Sequence, residues 1–245
     1  MLLDPINIKS NFRDYSVEFV DMNLLDREMR SDNTVIVIDS KVKNIYFPSL
    51  SGGNVIEIDC NETIKDISVV TTILQAFDDL RINSNSKVLV IGGGVLQDCV
   101  GFCCSIFKRG VDYILVPTTM LSQADSCIGG KTGINFKNKK NLLGTFYPPK
   151  RILVCFDFLP SLPVPEILSG IGEIYKFHVL QGKISEFRSD FNDQVLWKKY
   201  IYDGLKYKTS ILHLDEFDKK ERKYLNFGHT FGHAMESVSG YTIPH

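Results

Sequence analysis

The stretch Lys87-Val-Leu-Val-Ile-Gly-Gly-Gly-Val-Leu-Gln-Asp98 decides the fold. After its lysine the first part is an unbroken aliphatic run, the pattern of a strand buried on both faces. Gly92, Gly93 and Gly94 follow directly, and residues 98–107 then read as a helix with Asp98 as its N-cap. Glycines at such a turn let the backbone approach a pyrophosphate, and the helix start offers unpaired N–H groups and a partial positive charge. The usual dinucleotide fingerprint has a further glycine at position 97, where this chain has Gln97. A bare strand-to-helix turn accounts for the glycines as well, and the residues alone leave both readings open.

Outward from this stretch the same strand signature recurs at residues 34–38 (TVIVI), 113–116 (YILV) and 151–155 (RILVC). Residues 63–80 carry Ile64, Ile67, Val70, Leu74 and Phe77 close to helical spacing. Alternating strands and helices predict a Rossmann-like α/β domain with a mainly parallel sheet over residues 1–158. Three prolines between Pro160 and Pro165 then read as an irregular linker. Beyond them, residues 165–180, 193–214 and 228–238 suit helices and no strand stands out. Residues 159–245 are therefore expected to be all-α.

The chain has 245 residues, 44% hydrophobic and 23% charged, enough for a soluble protein with a sizeable core. A formal net charge of -1 provides no global field to recruit nucleic acid or a membrane surface, so neither is expected as a partner. The six cysteines form no CxxC pair and mostly sit in apolar runs, which reads as reduced, buried thiols in a cytoplasmic protein. No signal peptide or membrane-length apolar run is expected.

Three groups could carry chemistry. Thr118 and Thr119 follow the strand at 113–116 and place hydroxyls at the carboxyl edge of the sheet, where ligands bind in such folds. A polar, basic loop region holds Asp125, Lys131, Asn135, Lys139, Lys140 and Asn141. KNKK is most often a solvated run, whereas the glycines bracketing Lys131 point it toward a ligand such as phosphate. His229 and His233, four apart on a helix, have a common zinc-ligand spacing, but Thr230 stands where a metalloprotease needs glutamate. Glu173 and His245 could complete a metal site, although such a carboxylate is more often at the surface. Lys176 lies one turn beyond Glu173 on the same face. His178 and His213 lack neighbouring ligand types and read as structural or exposed.

Successive blocks resemble the 3-dehydroquinate synthase family: GGGVLQD from Gly92, FKRG from Phe107, PTTMLSQADSCIGGKTGIN from Pro117, KNLLGTFYPP from Lys140, SGIGEIYKF from Ser169 and RKYLNFGHTFGHAME from Arg222. Order and spacing are kept from about residue 39 to 245. The resemblance implies an NAD- and zinc-dependent lyase, with cobalt as an alternative metal, that converts 3-deoxy-D-arabino-heptulosonate 7-phosphate to 3-dehydroquinate and phosphate. It implies NAD contacts at Asp39, Glu62, Lys65, Gly93, Gly94, Asp98, Thr118, Thr119 and Lys140. It implies metal ligands Glu173, His229 and His245, and turns His233 toward the phosphate instead. Substrate positions are Asp125, Lys131, Asn141, Lys176, Lys208, Arg222, Asn226 and His233. Arg109 matches an arginine that reaches a neighbouring subunit's site, which implies a homodimer. Lys208 and Arg222 suit a substrate carboxylate. Cyclases acting on heptulose 7-phosphate or glucose 6-phosphate have no such group, and a polyol dehydrogenase of the same fold has no use for the cluster at 131–141. The family continues past the position of His245 with more of the helical domain. The chain therefore reads as a fragment, or as a shortened, non-catalytic relative.

Overall fold

A computed structural model of the chain describes residues 3–61, 64–137, 139–188, 190 and 193–239, without the side chains of residues 233, 236 and 237. The chain forms two compact units: Met1–Thr118 with Gly130–Asp157, and Thr119–Gly129 with Phe158–His245. The segment Thr119–Gly129, which a linear division at residue 158 leaves with the first domain, groups with the second.

The first unit is built on β1 (Ile6–Ile8), β2 (Tyr15–Val20), β3 (Thr34–Asp39), β4 (Val55–Ile58), β5 (Lys87–Gly92), β6 (Tyr113–Pro117) and, after a hairpin, β9 (Arg151–Cys155). The sheet order is β1-β2-β9-β6-β5-β3-β4, parallel throughout except for the β1–β2 pair. The four strands legible as apolar runs form its middle, where residues on both faces are buried. The others lie toward the edges and carry Asn7, Ser16, Glu18 and Glu57, which break the run. Helices α1 (Met22–Met29), α2 (Ser40–Tyr46), α3 (Ile67–Asp79) and α4 (Gly94–Ile106) connect the strands. The order reverses between β3 and β5, so the carboxyl ends of these strands, Asp39 and Gly92, flank a switch point.

Two expectations are corrected here. Asp98 is not a helix cap: β5 runs through to Gly92, extended Gly93 is the N-cap without any side-chain bond, and Asp98 lies a turn inside α4. Residues 131–146 are not a loop but an antiparallel hairpin of β7 (Lys131–Phe136) and β8 (Lys139–Phe146). Its Lys, Asn and Gly content disfavours strands, and tertiary packing overrides that preference. The Thr132 and Thr145 hydroxyls pair across it at 2.7 Å, and a Cβ on Gly101 of α4 would come within 2.8 Å of Thr132 Cγ2.

The second unit is helical, and no strand occurs in it among the described residues. It holds a π-helical turn at Ser122–Ser126, α5 (Val164–Leu180), α6 (Gln194–Leu214) and α7 (His229–Val238). The proline stretch is more regular than expected: Pro160 sits inside a 3-10 turn, Phe156–Ser161, and Pro163 and Pro165 frame the start of α5, where missing N–H groups leave no bond unmade. Asp193 caps α6 by accepting from Leu196 N at 2.9 Å. Two glycines allow the helices to close: a Cβ on Gly204 would lie 2.9 Å from Phe177 Cδ2, and one on Gly170 would lie 2.7 Å from Leu121 N.

Candidate active site

In the first unit Asp39, Gly93, Gly94 and Thr118, all expected dinucleotide positions, lie at the carboxyl edge of the sheet. Asp39 ends β3 beside Gly92, where an added Cβ would be 3.5 Å from that of Asp39. Gly93 and Gly94 open α4 with no side chain over its first N–H groups, so this end can receive an anion. The buried Thr118 donates its N–H to Gly92 O at 3.2 Å. Gln97, at the position of the missing fingerprint glycine, is buried and donates its amide to the same carbonyl at 2.9 Å, bracing the turn. Lys65 is buried and its ammonium meets Asp98 Oδ2 at 2.7 Å and Asn141 Oδ1 at 2.5 Å. An expected NAD residue and an expected substrate residue thus share one cation. Lys131 and Lys140 lie exposed on β7 and β8. Glu62 lies outside the described residues.

The second unit contains a chain of alternating basic and acidic side chains. His229 Nε2, on α7, lies 3.1 Å from Glu173 Oε1, on α5. Lys176 contacts the other oxygen of Glu173 and lies 4.0 Å from Asp125 Oδ2. Lys208, on α6, meets Asp125 Oδ1 and its carbonyl, each at 2.7 Å. Glu173, Lys176 and Lys208 are all buried. Burial pulls the Lys208 pKa below its ordinary value, and the Arg222 charge pulls in the same direction, while Asp125 partly offsets both. The i, i+3 spacing of Glu173 and Lys176 puts both on one face of α5, and the π-helical turn presents Asp125 to them.

Arg222 is also buried and donates to Gly129 O at 3.0 Å and to Glu216 O. Its 3-10 turn, Glu221–Asn226, is organised by Asp215, whose carboxylate accepts from the backbone of Lys219, Lys220 and Arg222. Burial raises the Asp215 pKa, but these donors together hold it below the usual range. Sequence reading missed Asp215; its signal was an aspartate directly after the end of a helix, where such a side chain can accept from nearby backbone N–H groups. Thr119 uses its hydroxyl on Ser122, 2.9 Å away, at the start of the π-helical turn. Asn226 is exposed at the end of its turn. His233 lies on α7 and its side chain is outside the described set, as is His245. No group of three potential metal ligands occurs among the described residues.

Arg109 stands apart from the dinucleotide positions of its own unit. It lies in the turn between α4 and β6, at the amino edge of the sheet. The 13-residue α4 separates it from the carboxyl edge by ~20 Å.

This architecture is that of the sugar-phosphate cyclases. The chain is similar to a 2-deoxy-scyllo-inosose synthase (TM-score 0.84, 25% identity, 98% of this chain and 72% of that one). It is also similar to the 2-epi-5-epi-valiolone synthase of Streptomyces hygroscopicus subsp. jinggangensis 5008, solved with NAD+ and Zn2+ bound (TM-score 0.78, 26% identity, 92% and 68%). Residues 55–169 match the family model described as 3-dehydroquinate synthase N-terminal, and residues 170–245 match its C-terminal counterpart. The 3-dehydroquinate synthase of Alkaliphilus metalliredigens (strain QYMF) is 36% identical over 86% of this chain. The chain belongs to the 3-dehydroquinate synthase family. It spans 63% of the length of that relative.

Proposed function

We propose that the protein is a 3-dehydroquinate synthase that converts 3-deoxy-D-arabino-heptulosonate 7-phosphate to 3-dehydroquinate and phosphate. The observation that carries this reading is the polar chain His229–Glu173–Lys176–Asp125–Lys208, in which Glu173, Lys176 and Lys208 are buried and which joins residues from four separate segments of the second unit. Charges are rarely buried at such density without a polar ligand to orient.

A divalent metal fits the donors present: a carboxylate oxygen and an imidazole nitrogen already face each other at 3.1 Å. Glu173 and His229, with His245, would hold zinc or cobalt. The metal supplies Lewis-acid polarisation of substrate hydroxyls, and NAD supplies a hydride acceptor that is regenerated. Asp39, Glu62, Lys65, Gly93, Gly94, Asp98, Thr118, Thr119 and Lys140 hold the dinucleotide. Lys208 and Arg222 hold the substrate carboxylate, and Asp125 orients the ammonium of Lys208. Lys131, Asn141, Asn226 and His233 are the residues assigned to the phosphate, whose departure positive charge and hydrogen-bond donors would stabilise. Lys176 keeps the Glu173 carboxylate in one orientation. The α/β domain, residues 1–158, is thus assigned chiefly to the cofactor, and the helical domain, residues 159–245 together with the segment 119–129, to metal and the substrate carboxylate. Arg109 serves a second copy, making the enzyme a cytoplasmic homodimer; its place at the amino edge, remote from the dinucleotide edge of its own unit, supports this.

The full-length protein, given substrate, NAD and zinc, should release phosphate and 3-dehydroquinate together. A chelator and Lys208→Met should each abolish both products. Glu173→Gln should lower the zinc content found by elemental analysis. Turnover of heptulose 7-phosphate in place of the carboxylated substrate would refute the assignment.

A further inference from the structure

The turn that carries Arg109 has an unusual backbone. Lys108 (φ 48°) and Arg109 (φ 66°) are consecutive non-glycine residues in the left-handed region, and Gly110 follows at φ 128°. Single left-handed residues of this kind are uncommon, and a pair persists only when the surroundings fix it.

The surroundings do so on both sides of Arg109. The Lys108 ammonium donates to Ile82 O at 2.7 Å. The Tyr147 hydroxyl donates to Val111 O at 3.1 Å and fills the space over Gly110, where a Cβ would lie 2.9 Å from it. Tyr147 is itself held: its ring stacks on Tyr113, whose hydroxyl donates to Tyr147 O at 2.6 Å. Arg13, from the segment before β2, packs its guanidinium against the Tyr147 ring at 5.1 Å. It also pairs with Asp112 and donates twice to Pro148 O, at 3.1 and 2.7 Å. Arg109, in contrast, is exposed and has no side-chain hydrogen bond or ion pair among the described residues.

We propose that Tyr147 and Arg13 are positioning residues that lock the Lys108–Gly110 turn, so that Arg109 stands clear of its own chain and meets an anionic substrate held by a second copy. The lock acts on the donor subunit and is silent in the subunit that receives the arginine. This rests on the reading of Arg109 given above.

The test uses dimers of the full-length protein purified through two different tags, one on each subunit. One subunit carries Arg109→Ala and the other Lys208→Met. Neither homodimer should turn over substrate, whereas the mixed dimer should regain one working site. Adding Tyr147→Phe or, separately, Arg13→Met to the Lys208→Met subunit should lower the regained kcat/KM by at least about five-fold, because misplacing a charge by a fraction of an ångström already weakens orientation. The same change on the Arg109→Ala subunit should leave kcat/KM within about two-fold, because that subunit's turn serves no working site. Equal losses on both sides, or no loss on either, would overturn the lock and leave the second-copy reading standing. No recovery in the mixed dimer without the extra change would overturn that reading and the lock with it.

Discussion

Two glycines two residues apart in α5 should respond to alanine in opposite directions. A Cβ on Gly170 would lie 2.5 Å from Met120 Cβ and 2.7 Å from Leu121 N, and Met120 is fully buried. Ordinary heavy-atom contacts lie near 3.5–4.0 Å, so the overlap is roughly 1 Å. A flexible side chain could swing away, but the Leu121 backbone cannot, which puts the overpacking cost near the top of the usual range, about 3 kcal/mol. Replacing glycine inside a helix returns about 1 kcal/mol. Gly170→Ala should therefore destabilise by roughly 2 kcal/mol, lowering the thermal midpoint by about 4–8 °C. Gly172 has nothing within 4 Å of its hypothetical Cβ. Only the helix gain applies there, so Gly172→Ala should raise the midpoint by about 2–4 °C. Calorimetry on the two variants in parallel decides the matter. Equal midpoints, or a Gly170→Ala variant as stable as the parent, would refute the close approach of α5 to the Thr119–Gly129 segment.

Lys65→Met removes the cation shared by Asp98 and Asn141. With Asp98 partly solvated, the stability loss should be roughly 1–2 kcal/mol, and titration calorimetry should show weaker NAD binding; unchanged binding would remove Lys65 from the dinucleotide site. Gly129→Ala should destabilise by at least about 1–2 kcal/mol, because φ is 100° there and a Cβ would collide with the Arg222 guanidinium. Its KM should rise more than its kcat falls, and a purely thermal effect would argue against a role for Arg222 in substrate binding. The hydrogen bond from Arg151 lowers the Glu18 pKa against the opposing effect of burial. A depressed carboxylate contributes fully above its unfolded value of about 4.3 and loses that contribution as pH falls through the lower folded value. Acid unfolding of the parent should therefore be steeper below pH ~4 than that of Glu18→Gln, and superimposable curves would show that the Arg151 contact does not matter.

Legibility in the sequence followed burial. The central strands β3, β5, β6 and β9 read as apolar runs because both of their faces are covered, and α5 and α6 carried proline and aspartate signals at their starts. The edge strands, half solvated, gave no such run. The hairpin at 131–146 was hidden because its strands are built from Lys, Asn and Gly and are held by Thr132 and by contact with α4, a long-range effect that no local pattern encodes. Asp98 was misplaced because a helix can begin on a bare glycine when its first N–H groups are left open. In the second unit, helical spacing pairs His229 with His233, whereas the contact that the fold makes is between His229 and Glu173, which are 56 residues apart. The residues alone offered Glu173 as an addition to the histidine pair, and the family resemblance joined it to His229 and set His233 apart.

The discontinuity of the helical unit has a consequence for the order in which the protein can mature. Asp125 and the lysine that holds it, Lys208, are 83 residues apart. At ribosomal rates of roughly 5–20 residues per second, the Thr119–Gly129 segment therefore waits some 4–17 seconds after synthesis before α6 has been made. Until α6 has been made, Ala124, Cys127 and Ile128, all buried in the finished protein, lack the part of their cover that α6 supplies and form a target for chaperones. Residues 158–245 expressed alone would lack this segment and could not seal their own core, so the two units cannot be separated by cutting the gene at one place.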